Sequence, residues 1–270
     1  MRLSVVVAGD GAPANAFVVF RGYERSIEKA ARLGFHGVEI ALGKAEDVDK
    51  ALVDKVLARR GITVSCISTG LTFAKYGLYM THPNPTVRAE TVAVFHGLIR
   101  LAAEWGGMIN IGRSRGFIGE GQARAEAESL FAECIDKIAP YAHSHGVCLL
   151  LEPINRYESN FLNSLDDAAE MIESVPHKNI GIMADVFHMN IEDDHIVGSL
   201  LRNFSHVKYI HIADSNRLAP GWGHTDFASI AMILRQMCYQ GWLCAEILPG
   251  ADPDASAQQA ATYMQCLFGG

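Results

Sequence analysis

Leu149-Leu150-Leu151-Glu152, Ile182-Met183-Ala184-Asp185, Tyr209-Ile210-His211 and Cys244-Ala245-Glu246 share one form: a short apolar run closed by a carboxylate or an imidazole. The closing residues lie 33, 26 and 35 positions apart, each about the length of one strand–helix unit. Four further runs precede them, at 3–7, 37–40, 62–66 and 108–111. All eight are nearly continuous in apolar character, as strands buried on both faces are.

Helical patterns fill the intervals. Ser26 is the expected cap of a helix over 27–33 that Gly34 closes. Residues 86–105 carry Val87, Val94, Leu98 and Leu101 on a helical period, and 124–145, 165–175, 192–204, 226–239 and 254–268 behave likewise, with Ser164, Asp226 and Asp254 as expected caps. Gly34, Gly61, Gly146 and Gly241 stand just before strands, where helix-to-strand turns favour glycine. Eight such units predict an α/β chain with one catalytic domain over residues 1–270, folded as a single (β/α)8 TIM barrel. A doubly wound sheet is the rival, but Gly9-Asp10-Gly11 is too sparse for a phosphate fingerprint and no helix pattern starts behind it. The long segment 71–85, with Tyr76, Tyr79, Pro83 and Pro85, reads as a loop and a lid candidate.

Composition narrows the chemistry. Of 270 residues, 49% are hydrophobic and 20% charged, which excludes a disordered chain or a rod. The net charge of −7 argues against a nucleic-acid partner and favours a small neutral or metal-bridged substrate. No apolar stretch approaches membrane-spanning length, so no membrane partner is expected. The six cysteines form no Cys-x-x-Cys pair and read as reduced thiols of a cytoplasmic protein.

In a barrel, the four closing residues meet at one rim, where such folds keep their chemistry. Glu152, Asp185, His211 and Glu246 make a hard, mostly oxygen donor set, suited to one divalent cation, with Mn²⁺ placed first and Mg²⁺ or Co²⁺ as alternatives. Glu158, His188 and Arg217 lie in the loops just beyond three of them and form an expected second layer.

The segments Leu151-Glu152-Pro153, Asp185-Val186-Phe187-His188-Met189-Asn190, His211-Ile212-Ala213-Asp214-Ser215-Asn216-Arg217 and Pro220-Gly221-Trp222-Gly223-His224-Thr225-Asp226-Phe227 resemble the xylose-isomerase-like sugar epimerases. The resemblance runs through essentially the whole chain, including Thr81-His82-Pro83-Asn84-Pro85, and is nearest to ketose 3-epimerases acting on tagatose, allulose (psicose) and ribulose, with a 5-keto-L-gluconate epimerase as their relative. It implies metal ligands at Glu152, Asp185, His211 and Glu246, acid and base roles for Glu152 and Glu246, substrate contacts at Glu158, His188 and Arg217, and a pocket-lining Cys66. It also implies a homodimer or homotetramer. Where sugar epimerases often carry an aromatic after the fourth strand, this chain has Gly112-Arg113-Ser114-Arg115-Gly116-Phe117, which resembles the keto-acid branch. Arg113 and Arg115 could each meet a substrate carboxylate, or be solvated loop cations. The expected substrate is therefore a keto-sugar or a keto-acid. An aldose–ketose isomerase such as a hydroxypyruvate isomerase, a keto-inositol dehydratase and a non-catalytic sugar-binding barrel are the competing readings.

Overall fold

The computed structural model describes residues 1–269. Its strands are β1 (Arg2–Ala8), β2 (Phe20–Arg21), β3 (Gly37–Ala41), β4 (Thr63–Ser68), β5 (Met108–Ile111), β6 (Cys148–Leu151), β7 (Ile180–Asp185), β8 (Val207–Ile212) and β9 (Trp242–Ala245). Apart from the two-residue β2, which pairs beside β1, they run parallel in chain order, and β9 closes on β1. The result is a closed eight-stranded parallel barrel, the expected (β/α)8 fold. Its helices are α1 (Tyr23–Arg32), α2 (Lys50–Arg60), α3 (Gly70–Tyr76), α4 (Pro85–Trp105), α5 (Arg124–Ser144), α6 (Leu165–Ser174), α7 (Val186–Glu192), α8 (Ile196–Arg202), α9 (Phe227–Gln236) and α10 (Pro253–Phe268). None of them is long and apolar enough to cross a membrane.

Two apolar clusters follow from the alternation of side chains along a strand. The larger packs the outer faces of the strands, such as Val5, Val7, Val38, Ile40, Leu149 and Leu151, against the helices. The smaller fills the barrel with Val6, Ala8, Ala41, Cys66, Leu150, Met183, Tyr209, Trp242 and Cys244. Tyr209 ties two serines together within the barrel: its Oη lies 2.7 Å from Ser65 Oγ and 3.1 Å from Ser4 Oγ.

Helix starts depart from expectation at three places. Ser26 lies inside α1, which begins after Gly22, and its buried hydroxyl has no partner among the described residues. Asp252, not Asp254, caps α10, because its carboxylate accepts from the amides of Asp254 and Ala255. The pattern over 192–204 belongs to two helices, since Asp193 closes α7 and the His195 ring caps α8. Ser164 and Asp226 do cap α6 and α9, each accepting the expected backbone N–H. The segment 71–85 is no plain loop, since most of α3 lies within it.

Candidate functional site

Parallel pairing brings the strand-end residues together. Asp185 stands in register with His211, and His211 with Cys244, so Glu246 emerges just past the rim. The backbone N–H of Glu152 donates to Ile111 and that of Glu246 to Ile212, each anchoring its carboxylate to the neighbouring strand. One ligand atom from each of Glu152, Asp185, His211 and Glu246 falls within 4.8 Å of all the others. His211 Nδ1 lies 3.2 Å from Glu152 Oε1, 3.2 Å from Glu246 Oε2 and 3.5 Å from Asp185 Oδ2. Asp185 also caps α7, accepting from the amides of Phe187 and His188, which fixes its orientation.

Arg217 is the counter-charge. It is buried, donates from one guanidinium nitrogen to both oxygens of Asp185 at 2.8 and 2.6 Å, and donates from another to Glu246. The guanidinium lies between the rings of Phe17 and Phe187, 4.5 and 4.9 Å from their centroids. Its φ of 62° is left-handed, a strained backbone that the two ion pairs hold in place.

Burial and charge split the three carboxylates. Burial opposes ionisation at Asp185, but Arg217 foremost and then His188 and His211 hold it well below the usual range. Burial likewise opposes the charge on Glu152, which its bond to His211 nonetheless keeps low. At Glu246 burial outweighs His211 and Arg217, and its carboxyl is pushed up to about 7. His211 is itself pushed well above its ordinary value: burial disfavours its charge, but Glu246 and Glu39 more than offset that.

A second layer orients the first. The Asn110 side-chain amide donates to Glu152 Oε2 at 2.7 Å. That of Asn155 donates to His188 Nδ1 at 2.7 Å and lies 3.3 Å from Glu158 Oε1. The proton of neutral His188 is thereby assigned to Nε2, which lies 3.8 Å from Asp185. Burial lowers the His188 pKa and keeps the ring in that neutral form.

Above the cluster opens a cavity of about 430 Å³. Glu152, Glu158, His188 and Glu246 line one side, and Ala16, Phe17, Ala41, Ser68, Leu71 and Gly112 line much of the rest. Arg113 also lines it, stacked 4.7 Å over the Phe73 ring, with no carboxylate in ion-pair range among the described residues.

Two expected site residues lie elsewhere. Arg115 is fully buried and donates to the carbonyls of Phe161, Gly112 and Leu162. Its donors are spent on holding a loop, so it is not available to a substrate carboxylate. Burial also lowers its pKa to about 10. Cys66 packs inside the barrel with Val6, Ala41 and Leu71 rather than on the cavity wall. Its thiol is raised well above the usual range by burial.

Sequence reasoning passed over Asn110, Asn155 and Glu39. Glu39 is fully buried on β3, with Oε2 3.0 Å from His211 Nε2. Its signal was a charge inside the apolar run Val38-Glu39-Ile40.

Three carboxylates and one imidazole nitrogen converging on a common point make a donor set that fits one hard divalent cation. The fold and this cluster define a class: a parallel barrel with a buried acid–imidazole centre at its carboxyl rim. The chain belongs to the xylose isomerase-like TIM barrel family, whose profile matches residues 27–266. It is 29% identical to the L-ribulose 3-epimerase of Methylomonas sp. strain DH-1 over 222 residues, covering 82% of this chain and 76% of that protein. It is 38% identical to the 3-dehydro-D-guloside 4-epimerase of Escherichia coli K12 over 112 residues, covering 42% of this chain and 43% of that one. A solved L-ribulose 3-epimerase structure superposes with a TM-score of 0.85 at 25% identity, covering 99% of this chain and 94% of the other. The chain is accordingly an enzyme of the isomerase class.

Proposed function

We propose that the protein is a divalent-metal-dependent epimerase that inverts the carbon next to the ketone of a keto-sugar, of the ketose 3-epimerase type. The observation that carries this is the pair Glu152 and Glu246, two carboxyls from non-adjacent strands that converge with Asp185 and His211 and face one cavity. Glu152, Asp185, His211 and Glu246 would hold the metal, with Mn²⁺ placed first. A bound divalent ion supplies Lewis acidity, which makes the C–H bond beside the carbonyl easier to ionise.

The chain's own groups then move the proton. One of Glu152 and Glu246, ionised, takes it from one face of the substrate to give an enediolate, and the other, protonated, delivers one to the opposite face. In the reverse direction the two exchange roles. The Nε2–H of His188 donates to the oxygen that gains charge, while Arg217 holds Asp185 and Glu246 in place beside it. Glu158 orients a substrate hydroxyl.

Arg113 supports a second substrate reading. A cation on the cavity wall without a carboxylate partner among the described residues suits a keto-hexonate, whose carboxylate it would bind.

The test is incubation in D₂O with ketohexoses, ketopentoses and keto-hexonates, each with Mn²⁺, Mg²⁺ and Co²⁺, followed by NMR. Deuterium at the carbon beside the ketone, together with the epimeric ketose, is expected. Glu152→Gln and Glu246→Gln should each lower turnover at least about 100-fold, and a loss under tenfold in either defeats the two-base scheme. An aldose product points instead to isomerisation, and metal binding without any exchange points to a binding barrel. Arg113→Met should weaken keto-hexonate use alone if that substrate is the right one.

A further inference from the structure

His211 has two ring nitrogens, and they face different partners. Nδ1 looks into the three carboxylates at the rim, and Nε2 looks inward to Glu39 Oε2 at 3.0 Å. An imidazole that gives Nδ1 to a metal carries its one proton on Nε2, and an acceptor there fixes both the tautomer and the ring plane. Glu39 reaches it from β3, 172 positions away in the chain and across the barrel interior from β8.

The surroundings of Glu39 fit no other role as well. It is fully buried, and its second oxygen, Oε1, has no hydrogen-bond partner among the described residues. Its near neighbours in the barrel include Cys66 and Cys244, which bring no positive charge. A buried carboxylate with a single partner is costly, so the contact it makes has to matter.

We infer that Glu39 is a positioning residue that holds His211 with Nε2 protonated and Nδ1 turned to the cation. The inference rests on the metal-dependent reading above. Glu39, His211 and Cys244 also lie close enough to be considered as a second metal trio. Positioning is the better account, because one imidazole would otherwise have to bridge two ions through both nitrogens.

The experiment titrates Mn²⁺ into the full chain, read by the electron paramagnetic resonance of the free ion, for the parent, Glu39→Gln and Glu39→Met. Melting of each metal-free chain is followed by circular dichroism. Gln keeps an acceptor oxygen without charge, whereas Met fills the space without an acceptor. One ion per parent chain is expected, with affinity lowered severalfold in the Gln variant and about 10–100-fold in the Met variant. The visible spectrum of the Co²⁺-loaded Met variant should shift as the ring reorients. A merely structural role would instead lower melting temperature and leave affinity and spectrum unchanged, which overturns the inference. If the Met variant does not fold, parity between Gln and parent overturns it equally. Two ions per parent chain overturn positioning in favour of a second site. No ion in the parent overturns the metal reading itself, whereas equal single-ion affinities overturn only the part given to Glu39.

Discussion

Strands β6, β7, β8 and β9 end at the rim in Glu152, Asp185, His211 and Glu246, whereas β1, β3, β4 and β5 end in or beside Ala8, Ala41, Ser68 and Gly112. The second half of the barrel supplies converging charge. The first half supplies small side chains, and Ala41, Ser68 and Gly112 line the cavity that the charges face. A barrel with large residues in both halves would have no room for substrate, and one with small residues in both would have nothing to act on it. The site is thus a division of labour around one ring, and each half can be tested where it depends on the other.

The largest effect is expected in the charged half. Arg217 balances Asp185 and Glu246, so Arg217→Met leaves a buried and a partly buried carboxyl without their guanidinium partner. Breaking a buried pair by removing one partner costs about 3–5 kcal/mol. Urea denaturation of the metal-free variant should show a loss of that order. With saturating Mn²⁺ the loss should shrink, because the ion takes over part of the neutralisation. Equal losses with and without metal would mean that Arg217 is not part of the ion's charge balance.

A smaller effect is expected from the spacious half. A Cβ added at Gly112 would come 2.6 Å from Glu152 Oε2 and 2.8 Å from Asn110 Oδ1. The backbone there, with φ −88° and ψ −115°, lies outside the regions that L residues favour, so the cost of Gly112→Ala falls on the turn as well as on the carboxylate and its amide partner. A misplacement of about 1 Å can cost about 100-fold in rate. Turnover should therefore fall about 10–100-fold, with a smaller loss of melting temperature from the strained turn. Full activity would show that Glu152 tolerates displacement and that the rim is looser than its hydrogen bonds suggest.

The same contrast explains what could be read from sequence. The charged half was legible because each ligand interrupts an apolar run at its end, and the spacing repeats with the strand–helix unit. Glu39 was not, because its charge lies within a run and finds its partner only when the barrel closes. Arg115 misled for the opposite reason. A basic residue beside the cavity loop reads as a ligand for an anion, but only the fold shows the carbonyls of Phe161 and Leu162 taking its donors. Cys66 matched a pocket position by resemblance, yet the β4 backbone places it below the cavity wall, where Ser68 stands instead. Small residues such as Ala41 carry no chemical signal, so the spacious half was visible only in three dimensions.

The smallest effect separates a buried carboxylate that belongs to the site from a half-buried one that does not. Asp185 begins α7 and Asp193 ends it. Arg217 holds the first low, while burial pushes the second up to about 6, with its Oδ2 unpartnered among the described residues. An aspartate in the unfolded chain titrates near 3.9. Asp193 therefore binds its proton more tightly in the folded state. Its contribution to stability is fully present below about pH 4 and is lost as pH rises through about 6. Above that, the ionised group is a liability of about 1–2 kcal/mol, once solvent screening of a partly buried group is allowed for. Asp193→Asn cannot ionise, so it should raise stability relative to the parent at pH 8 and leave it nearly unchanged at pH 4.5. Denaturation at the two pH values measures the difference. A gain of equal size at both would trace the effect to packing at the end of α7 rather than to charge, and the contrast with Asp185 would then rest on Arg217 alone.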